Sequence, residues 1–396
     1  MTDRDTTTAV IGKDGVDALI SVLAGRGRTV VGPTVRDGAI VLAELTRGDE
    51  LPYGWGVELE AGHYRLRARE DGAAFANSAG PNSWKTFLHP QRERQWTAER
   101  RTGSGDDTDT DSREAWVVVP DETPSRSYAF LGVRPCDLRA IAIQDRVLTG
   151  GPYADRAYRG RRERAFLVVV ECTEPGATCF CVSMGAGPGV DGGSDASYDL
   201  ALTEVVDAAG HRFHVRAGSA EGAAVLAELP HRPADDTTAA AARERVAAAA
   251  GRMGRTMPEV DLRALMRDSL GAERWNDVAA RCLTCGNCTM VCPTCFCTSA
   301  EDVTDLTGDH TERWRRWESC FDLEFTHLPG GTVRSSSSSR YRQWCTHKLG
   351  TWHDQFGSSG CVGCGRCVVW CPVGIDITEE AHALADERAA GEGGTS

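Results

Sequence analysis

The sequence is short of basic residues and contains no apolar run long enough to cross a membrane. Its 44 lysines and arginines stand against 57 aspartates and glutamates, which gives a net charge of −13. Binding to nucleic acid needs a basic face that contacts phosphates, so we expect no nucleic acid among the partners. The apolar run AFLVVV from Ala165 has the length of a strand, so we also expect no membrane partner.

Signals for secretion and for nucleotide binding are missing as well. Residues 1–15 lack the charged and then apolar pattern of a secretory signal, which predicts a cytoplasmic protein with reduced thiols. The stretch MGAGPGVDGG from Met184 does not complete the G-x-G-x-x-G pattern, and we find no Walker loop. We also recognise no nucleophile and base pair, so whether the chain is itself an enzyme stays open.

Cysteine, in contrast, is abundant, with 16 residues in a chain of 396. Small secreted domains use such a number as disulfides, but a chain of this length buries enough apolar surface without them. Many of these cysteines lie two or three residues apart, and that spacing is typical of metal binding.

Two segments share one cysteine spacing, C-x2-C-x2-C-x3-C-P. The first, RCLTCGNCTMVCP, begins at Arg281, and the second, GCVGCGRCVVWCP, begins at Gly360. This is the spacing of bacterial ferredoxins, in which three close cysteines bind one [4Fe–4S] cluster and the fourth binds the other cluster. The sequence therefore predicts two [4Fe–4S] clusters, here called site 1 (Cys282, Cys285, Cys288 and Cys371) and site 2 (Cys361, Cys364, Cys367 and Cys292).

A pair of zinc sites is the alternative interpretation of these motifs. Zinc favours two separated cysteine pairs in a tetrahedron. Three successive close cysteines followed by Cys-Pro fit that arrangement poorly. Analysis for iron and acid-labile sulfide distinguishes the two interpretations.

A further group of cysteines lies upstream of the motifs. Cys136 follows the apolar run YAFLGV, and Cys172 follows AFLVVV. If these runs are parallel neighbouring strands, both cysteines lie at the carboxyl edge of a sheet, where α/β proteins place ligands. We expect the turn TEPGATCFC to bring two more thiols back to that edge. The sequence therefore predicts a third iron–sulfur site, here called site 3 (Cys136, Cys172, Cys179 and Cys181), with ordinary buried thiols as the alternative.

The remaining cysteines follow no recognised cluster pattern. Two of them come so soon after the first motif that they could simply line its loop. Whether any of the four binds metal stays open: Cys295, Cys297, Cys320 and Cys345.

The pattern of apolar residues predicts a mixed α and β chain with an N-terminal α/β domain followed by a helical, ferredoxin-like dicluster domain. Asp37-Gly38 predicts a hairpin turn, and the order strand, helix, strand from Ser127 predicts a βαβ unit. The run SSSSSR, residues 335–340, is typical of a mobile loop. We expect a mixed α/β domain with site 3 in residues 1–235, a helical linker in 236–270, the dicluster domain in 271–390 and a disordered tail in 391–396.

Several stretches together resemble a known family. GVRPCDLRAI, ECTEPGATCFCVSMGAGP, CPTCFC, RYRQW and GCVGCGRCVVWCP are similar to the β subunit of soluble NAD(P)-linked [NiFe] hydrogenases, also called sulfhydrogenases. The equivalent electron-transfer subunit of anaerobic sulfite reductase belongs to the same family. The resemblance extends over nearly the whole chain, including GPTVRDGAIVL and AGPNSWKTFLHP.

The resemblance implies an electron relay. In such complexes a flavin subunit oxidises or reduces NAD(P)H, and the β-type subunit carries electrons through its clusters to the hydrogenase small subunit. The implied partners are therefore a flavin/NAD(P)-binding subunit together with a hydrogenase small subunit, or the catalytic subunit of a sulfite reductase. A stand-alone redox enzyme is the remaining alternative. Electron direction, cluster potentials, stoichiometry and the choice of NADH or NADPH stay open.

Overall fold

The computed structural model describes residues 7–101, 115–121, 126–190 and 197–393. Within these residues the chain forms a large sheet, a four-stranded sheet and two small hairpins, joined by helices. The strands are β1 (Thr8–Ile11), β2 (Thr29–Arg36), β3 (Ala39–Glu44), β4 (Trp55–Glu60), β5 (His63–Ala68), β6 (Arg92–Arg101), β7 (Ala115–Pro120), β8 (Tyr128–Val133), β9 (Phe166–Val170), β10 (Leu200–Asp207), β11 (Gly210–Ala217), β12 (Arg232–Pro233), β13 (Thr298–Thr304), β14 (His310–Trp317), β15 (His327–Leu328) and β16 (Gly331–Thr332). The helices are α1 (Lys13–Gly25), α2 (Lys85–Leu88), α3 (Pro135–Thr149), α4 (Arg156–Glu163), α5 (Ala220–Glu228), α6 (Asp236–Ala250), α7 (Leu262–Asp268), α8 (Arg274–Arg281), α9 (Asn287–Met290), α10 (Ser337–Thr346), α11 (Trp352–Phe356), α12 (Arg366–Val369) and α13 (Ile377–Gly393), with a 3-10 turn at Gly48–Glu50 and a π-helical segment at His347–Thr351.

The large sheet has a parallel centre and antiparallel edges. Its strand order is β12-β1-β11-β10-β9-β8-β2-β3, and β2, β8, β9 and β10 run parallel. Every residue of β9 is buried, as expected for a central strand covered on both faces. Val168 and Val170 pack into the core that contains α1 and α5, whereas Leu167 and Val169 pack into the core beside α3 and α4. The predicted mixed α/β character of the N-terminal part is thus confirmed.

Two local predictions about this sheet are confirmed. β8, α3 and β9 form the predicted βαβ unit, and Pro135 occupies the first turn of α3, where its missing N–H costs nothing. β2 and β3 form the predicted hairpin. Asp37 and Gly38 have φ values of 50° and 74° in its two-residue turn, which aspartate tolerates and glycine favours.

The four-stranded sheet joins parts of the chain that the sequence analysis assigned to separate domains. Its order is β13-β14-β6-β7, so residues 92–120 pair with residues 298–317. We had expected this C-terminal part to be helical and ferredoxin-like. It also contains strands, and two of them, β13 and β14, complete a sheet begun by the N-terminal part.

Helices α7, α8, α10 and α13 form the core of the C-terminal part. Trp275, Tyr341 and Leu384 are buried there, and cysteines of both ferredoxin motifs border this core. The carboxylate of Glu380 is buried on α13 and accepts hydrogen bonds from Arg274 (2.5 Å) and Arg281 (2.8 Å). These contacts fix α13 against α8, immediately before the first motif.

The C-terminal half also differs from the sequence predictions at two places. The expectation of a mobile loop at residues 335–340 is wrong, because α10 begins inside this segment. The side chain of Ser336 accepts the N–H of Ser339 at 3.2 Å and so caps the helix, as serine often does. Helix α13 continues to Gly393, into the segment predicted as a disordered tail, and residues 394–396 lie outside the described residues.

The predicted linker, residues 236–270, contains α6 and α7. Among the described residues, no helix combines the length and the hydropathy that crossing a bilayer would need.

Candidate metal centres

The cysteines predicted for site 1 all line one cavity of about 30 Å³ between the loop after α8 and the loop after α12. Thr284 (φ 55°) and Gly286 (φ 73°) adopt left-handed backbone conformations, which bend the first loop around the cavity. The N–H of Thr284 lies 3.4 Å from Cys282 Sγ, and the N–H of Ile375 lies 3.3 Å from Cys371 Sγ. Site 1 thus combines four sulfur donors with N–H groups that donate to sulfur.

The cysteines predicted for site 2 line a second cavity, of about 20 Å³. The N–H of Gly363 lies 3.4 Å from Cys361 Sγ, which repeats the geometry of the first motif. Gly363 and Gly365 have φ values of 66° and 74°. Each motif therefore bends its loop in the same way, and each continues into a four-residue helix, α9 or α12.

A buried lysine contacts a sulfur atom of site 2. Lys348 Nζ lies 3.3 Å from Cys292 Sγ, 2.8 Å from Thr294 Oγ1 and 3.1 Å from the carbonyl oxygen of Gly360. Burial alone would lower the pKa of Lys348, but the neighbouring sulfurs, Cys292 first among them, hold this pKa above its usual value. Site 2 therefore has a fixed ammonium group on one of its sulfurs.

Shared cysteines connect the cavities. Cys367 lines both site 1 and site 2. Cys364 lines both site 2 and a third cavity, which lies in the α/β part of the chain. The three cavities are therefore adjacent, in the order site 1, site 2 and the third cavity.

The third cavity, of about 60 Å³, is lined by all the cysteines predicted for site 3. Cys179 and Cys181 are buried, and burial raises the pKa of Cys179 to about 11. A buried ion pair lies beside the cavity: Arg366 donates to the carboxylate of Asp137 at 2.8 and 3.3 Å. Because Arg366 follows Cys364 on the second motif and Asp137 follows Cys136, this pair joins the two cysteine groups.

The cysteines left open by the sequence lie in two places. Cys295 lies beside Cys292 and holds the pKa of the Cys292 thiol below its usual value. The buried Lys85 donates to the carbonyl oxygen of Cys295 at 2.9 Å. Cys297 and Cys320 lie near each other beside this group, whereas Cys345 lies elsewhere, 3.7 Å from Met266 Sδ. Nothing in this arrangement assigns these four to a cluster.

The donor groups of sites 1 and 2 fit iron–sulfur clusters. No set of three or more His, Cys, Asp or Glu side chains among the described residues converges closely enough to hold one metal ion. The four cysteines predicted for each site instead surround one shared cavity, as cubane ligation requires. The loops also approach other backbone closely, since a Cβ on Gly363 would lie 2.5 Å from the backbone of Phe180.

Most of the charged groups around the sites carry no local signal in the sequence. Charged residues are normally exposed, and nothing in the surrounding stretches of sequence marks these as buried. They are Lys348, Lys85, Asp137 and Arg366. A weak signal existed for Asp137, which directly follows a cysteine in RPCDL at the start of a predicted helix.

Site 1 is the centre nearest to solvent. Among the described residues, Cys285 is the exposed cysteine, and the neighbouring Leu283 is 63% exposed to solvent. Val373, beside the loop that carries Cys371, is also exposed. An exposed apolar border at a metal centre suits contact with another protein.

Comparison with known proteins gives two matches. Residues 281–375 match the 4Fe-4S dicluster domain, a segment that contains every cysteine of sites 1 and 2. The chain is also 32% identical over 255 residues to the sulfhydrogenase 2 subunit beta of Pyrococcus furiosus, an alignment that covers 63% of this chain and 71% of that protein. No solved structure matches the chain.

Proposed function

The chain belongs to the family of the sulfhydrogenase beta subunit, and from this membership we propose that it is an iron–sulfur electron-transfer subunit of a hydrogenase complex. In this role it relays electrons between a flavin subunit that binds NAD(P)H and the small subunit of a [NiFe] hydrogenase module. It performs no chemistry on a metabolite itself.

The adjacency of sites 1 and 2 is the observation that supports this proposal most. A [4Fe–4S] cluster accepts and releases single electrons, and four thiolates on four irons leave no position for a substrate. The chain supplies two such ligand sets, and Cys367 borders both. Two adjacent sets with closed ligation suit conduction rather than catalysis.

Sites 1 and 2 differ in how exposed their surroundings are, which suggests different positions in the relay. Site 1 lies beside the exposed Leu283 and Val373, so it can approach a redox centre of a partner subunit. Site 2 is enclosed by Phe180, Trp344 and Lys348, so its electrons can move only to a neighbouring centre. The exposed apolar border therefore marks site 1 as one end of the relay, and site 2 as an inner position along it.

Anaerobic purification of the native complex tests the proposal. We expect Ni–Fe hydrogenase subunits and a flavin subunit to copurify with this chain. Addition of NADH or NADPH should reduce its clusters, observed as bleaching of the visible absorbance and as new EPR signals. A Cys285→Ala variant should lose the site 1 cluster and the transfer of electrons through the chain, whereas a Cys345→Ala variant should keep both.

Three results would contradict parts of the proposal. Bound zinc without acid-labile sulfide would overturn it entirely. Oxidation of NAD(P)H by the isolated chain, without a flavoprotein, would favour a stand-alone enzyme. A sirohaem reductase in place of the Ni–Fe subunits would keep the relay and assign the chain to a sulfite reductase.

A further inference from the structure

Four cysteines outside the ferredoxin motifs meet at the carboxyl edge of the large sheet. β8 and β9 are parallel neighbours that end at this edge. Cys136 lies in the first turn of α3, which follows β8, and Cys172 lies two residues beyond the end of β9. Loops converge at this edge of an α/β sheet, so it is the place where such sheets hold ligands.

The loop after β9 folds back and brings two more thiols to the same cavity. The N–H of Cys179 donates to the carbonyl oxygen of Gly176 at 3.0 Å and closes a turn. Phe180 packs into the C-terminal core, while Cys179 and Cys181 on either side of it line the cavity. The N–H of Phe180 donates to Gly363 of the second motif at 2.9 Å, which fixes this loop against site 2.

The cavity that the four cysteines share distinguishes a ligand set from ordinary packing. Buried thiols that serve only as core residues pack against apolar neighbours and leave little room. Here the four cysteines, all free of disulfides, line a cavity of about 60 Å³. The corresponding cavities at sites 1 and 2 are about 30 and 20 Å³. The upstream set therefore has no less room for a cluster than the ferredoxin motifs have.

The charges around the cavity suit an anionic group. Arg134 and Arg366 both line it, and Asp137 offsets only one of these positive charges. The N-terminus of α3, a helix of 15 residues, adds its partial positive charge beside Cys136. A cluster held by four thiolates carries net negative charge, which this excess of positive charge would balance.

We propose that Cys136, Cys172, Cys179 and Cys181 hold a third [4Fe–4S] cluster, which extends the relay beyond site 2 into the α/β part of the chain. Cys364 borders both cavities, so site 3 adjoins site 2 and not site 1. One electron passes from reduced site 2 to oxidised site 3, or back, and no bond or proton is transferred. The proposal rests on the proposed function, because a fully ligated third cluster serves only to conduct.

The iron content of the full chain, prepared anaerobically with its clusters assembled, tests the proposal. Three cubanes correspond to about twelve irons and about twelve sulfides per chain, and two cubanes correspond to about eight of each. We expect about twelve in the wild type. In the Cys136→Ala and Cys181→Ala variants we expect a loss of about one third of the iron. The Cys345→Ala variant, which removes a buried cysteine outside all three cavities, is the matched control and should keep all of it.

The outcomes separate this proposal from the proposed function. About eight irons in the wild type would overturn the third cluster and leave the two-cluster relay intact. No iron and no acid-labile sulfide would overturn both. Twelve irons that persist in the Cys136→Ala and Cys181→Ala variants would overturn the ligand assignment. If a variant does not fold, EPR of the reduced wild type decides, since three interacting clusters integrate to about three spins per chain rather than about two.

Discussion

At the scale of single residues, Lys348 distinguishes site 2 from site 1. Its ammonium group lies 3.3 Å from Cys292 Sγ in a buried position. Positive charge and hydrogen bonds at a ligand sulfur favour the reduced, more negative cluster, so they raise the reduction potential. In a Lys348→Met variant we expect the reduction potential of the site 2 cluster to fall by at least about 59 mV, which makes its one-electron reduction about tenfold less favourable. An EPR-monitored redox titration measures this change.

An exposed lysine provides the control for this experiment. Lys13 lies on α1, far from the cysteine loops in the chain, and its side chain is exposed. A Lys13→Met variant removes the same formal charge and should leave every cluster potential unchanged. Equal potentials in the wild type and in the Lys348→Met variant would show that the ammonium does not tune site 2.

The ion pair between Asp137 and Arg366 allows a second prediction at this scale. Both groups are buried, so an Asp137→Asn variant removes the carboxylate that pairs with the guanidinium of Arg366. Breaking a buried pair in this way costs about 3–5 kcal/mol. We expect a clear decrease in the urea concentration at half-unfolding, measured by tryptophan fluorescence under anaerobic conditions.

A surface pair with similar geometry serves as the control. Asp302 accepts two hydrogen bonds of 2.7 Å from Arg313 across β13 and β14, and both side chains are exposed. Exposed pairs contribute little to stability because water screens them. The Asp302→Asn variant should unfold at nearly the wild-type urea concentration. A decrease of equal size in the two variants would contradict a special role for the buried pair.

Single residues also show where the sequence could predict the sites and where it could not. The grouping of motif cysteines follows from local spacing, which the cluster geometry dictates. Lys348 and Lys85 have no such local signal. Their burial depends on contacts between distant parts of the chain, such as that of Lys85 with Cys295, 210 residues apart.

At the scale of elements, the loop of the second motif depends on its glycines. Gly365 has a φ of 74°, and a Cβ there would lie 2.5 Å from the carbonyl oxygen of Thr178. A Gly365→Ala variant must therefore separate this loop from the segment that leads to Cys179. We expect it to lose iron from site 2 and to unfold at a lower urea concentration. Its free energy of unfolding should fall by well over the cost of about 1–2 kcal/mol for a left-handed non-glycine residue.

Gly357 isolates the effect of backbone conformation from that of close approach. Its φ of 70° is nearly the same, but an added Cβ would meet no atom within 4 Å. The free energy of unfolding of the Gly357→Ala variant should fall by only about 1–2 kcal/mol, and the variant should keep its iron. Similar iron loss in the two variants would mean that the contact with Thr178 does not hold the loop in place.

Elements defined by local signals were predictable, and elements defined by distant partners were not. The βαβ unit and the Asp37-Gly38 hairpin follow from periodicity and turn chemistry. The pairing of β6 with β14 joins residues more than 200 positions apart, and neither strand specifies its partner. Residues 335–340 were misassigned because their composition outweighed the capping signal of Ser336.

At the scale of the whole molecule, the dicluster part and the α/β part support each other. Trp370 Nε1 donates to the carbonyl oxygen of Ala79 at 2.8 Å, and Gln144 donates to that of Pro293 at 3.1 Å. β14, the inner strand from the C-terminal part, pairs with β6 along its length. The cysteine loops are therefore positioned by residues far outside the matched segment 281–375.

This interdependence predicts that the dicluster part does not fold alone. A fragment of residues 261–396 would expose the edge of β14 that β6 covers, and unpaired edges of this kind promote aggregation. It would also leave the buried Arg366 without Asp137 and Lys348 in a loosened core. We expect this fragment to retain far fewer than the about eight irons of two cubanes and to aggregate, as measured by iron analysis and gel filtration.

Coexpression with residues 1–260 should restore both iron content and solubility, because the missing strand and ion-pair partner are then supplied by a second chain. A soluble fragment with about eight irons would show instead that the ferredoxin motifs form an autonomous unit, and that the four-stranded sheet adds nothing to their folding.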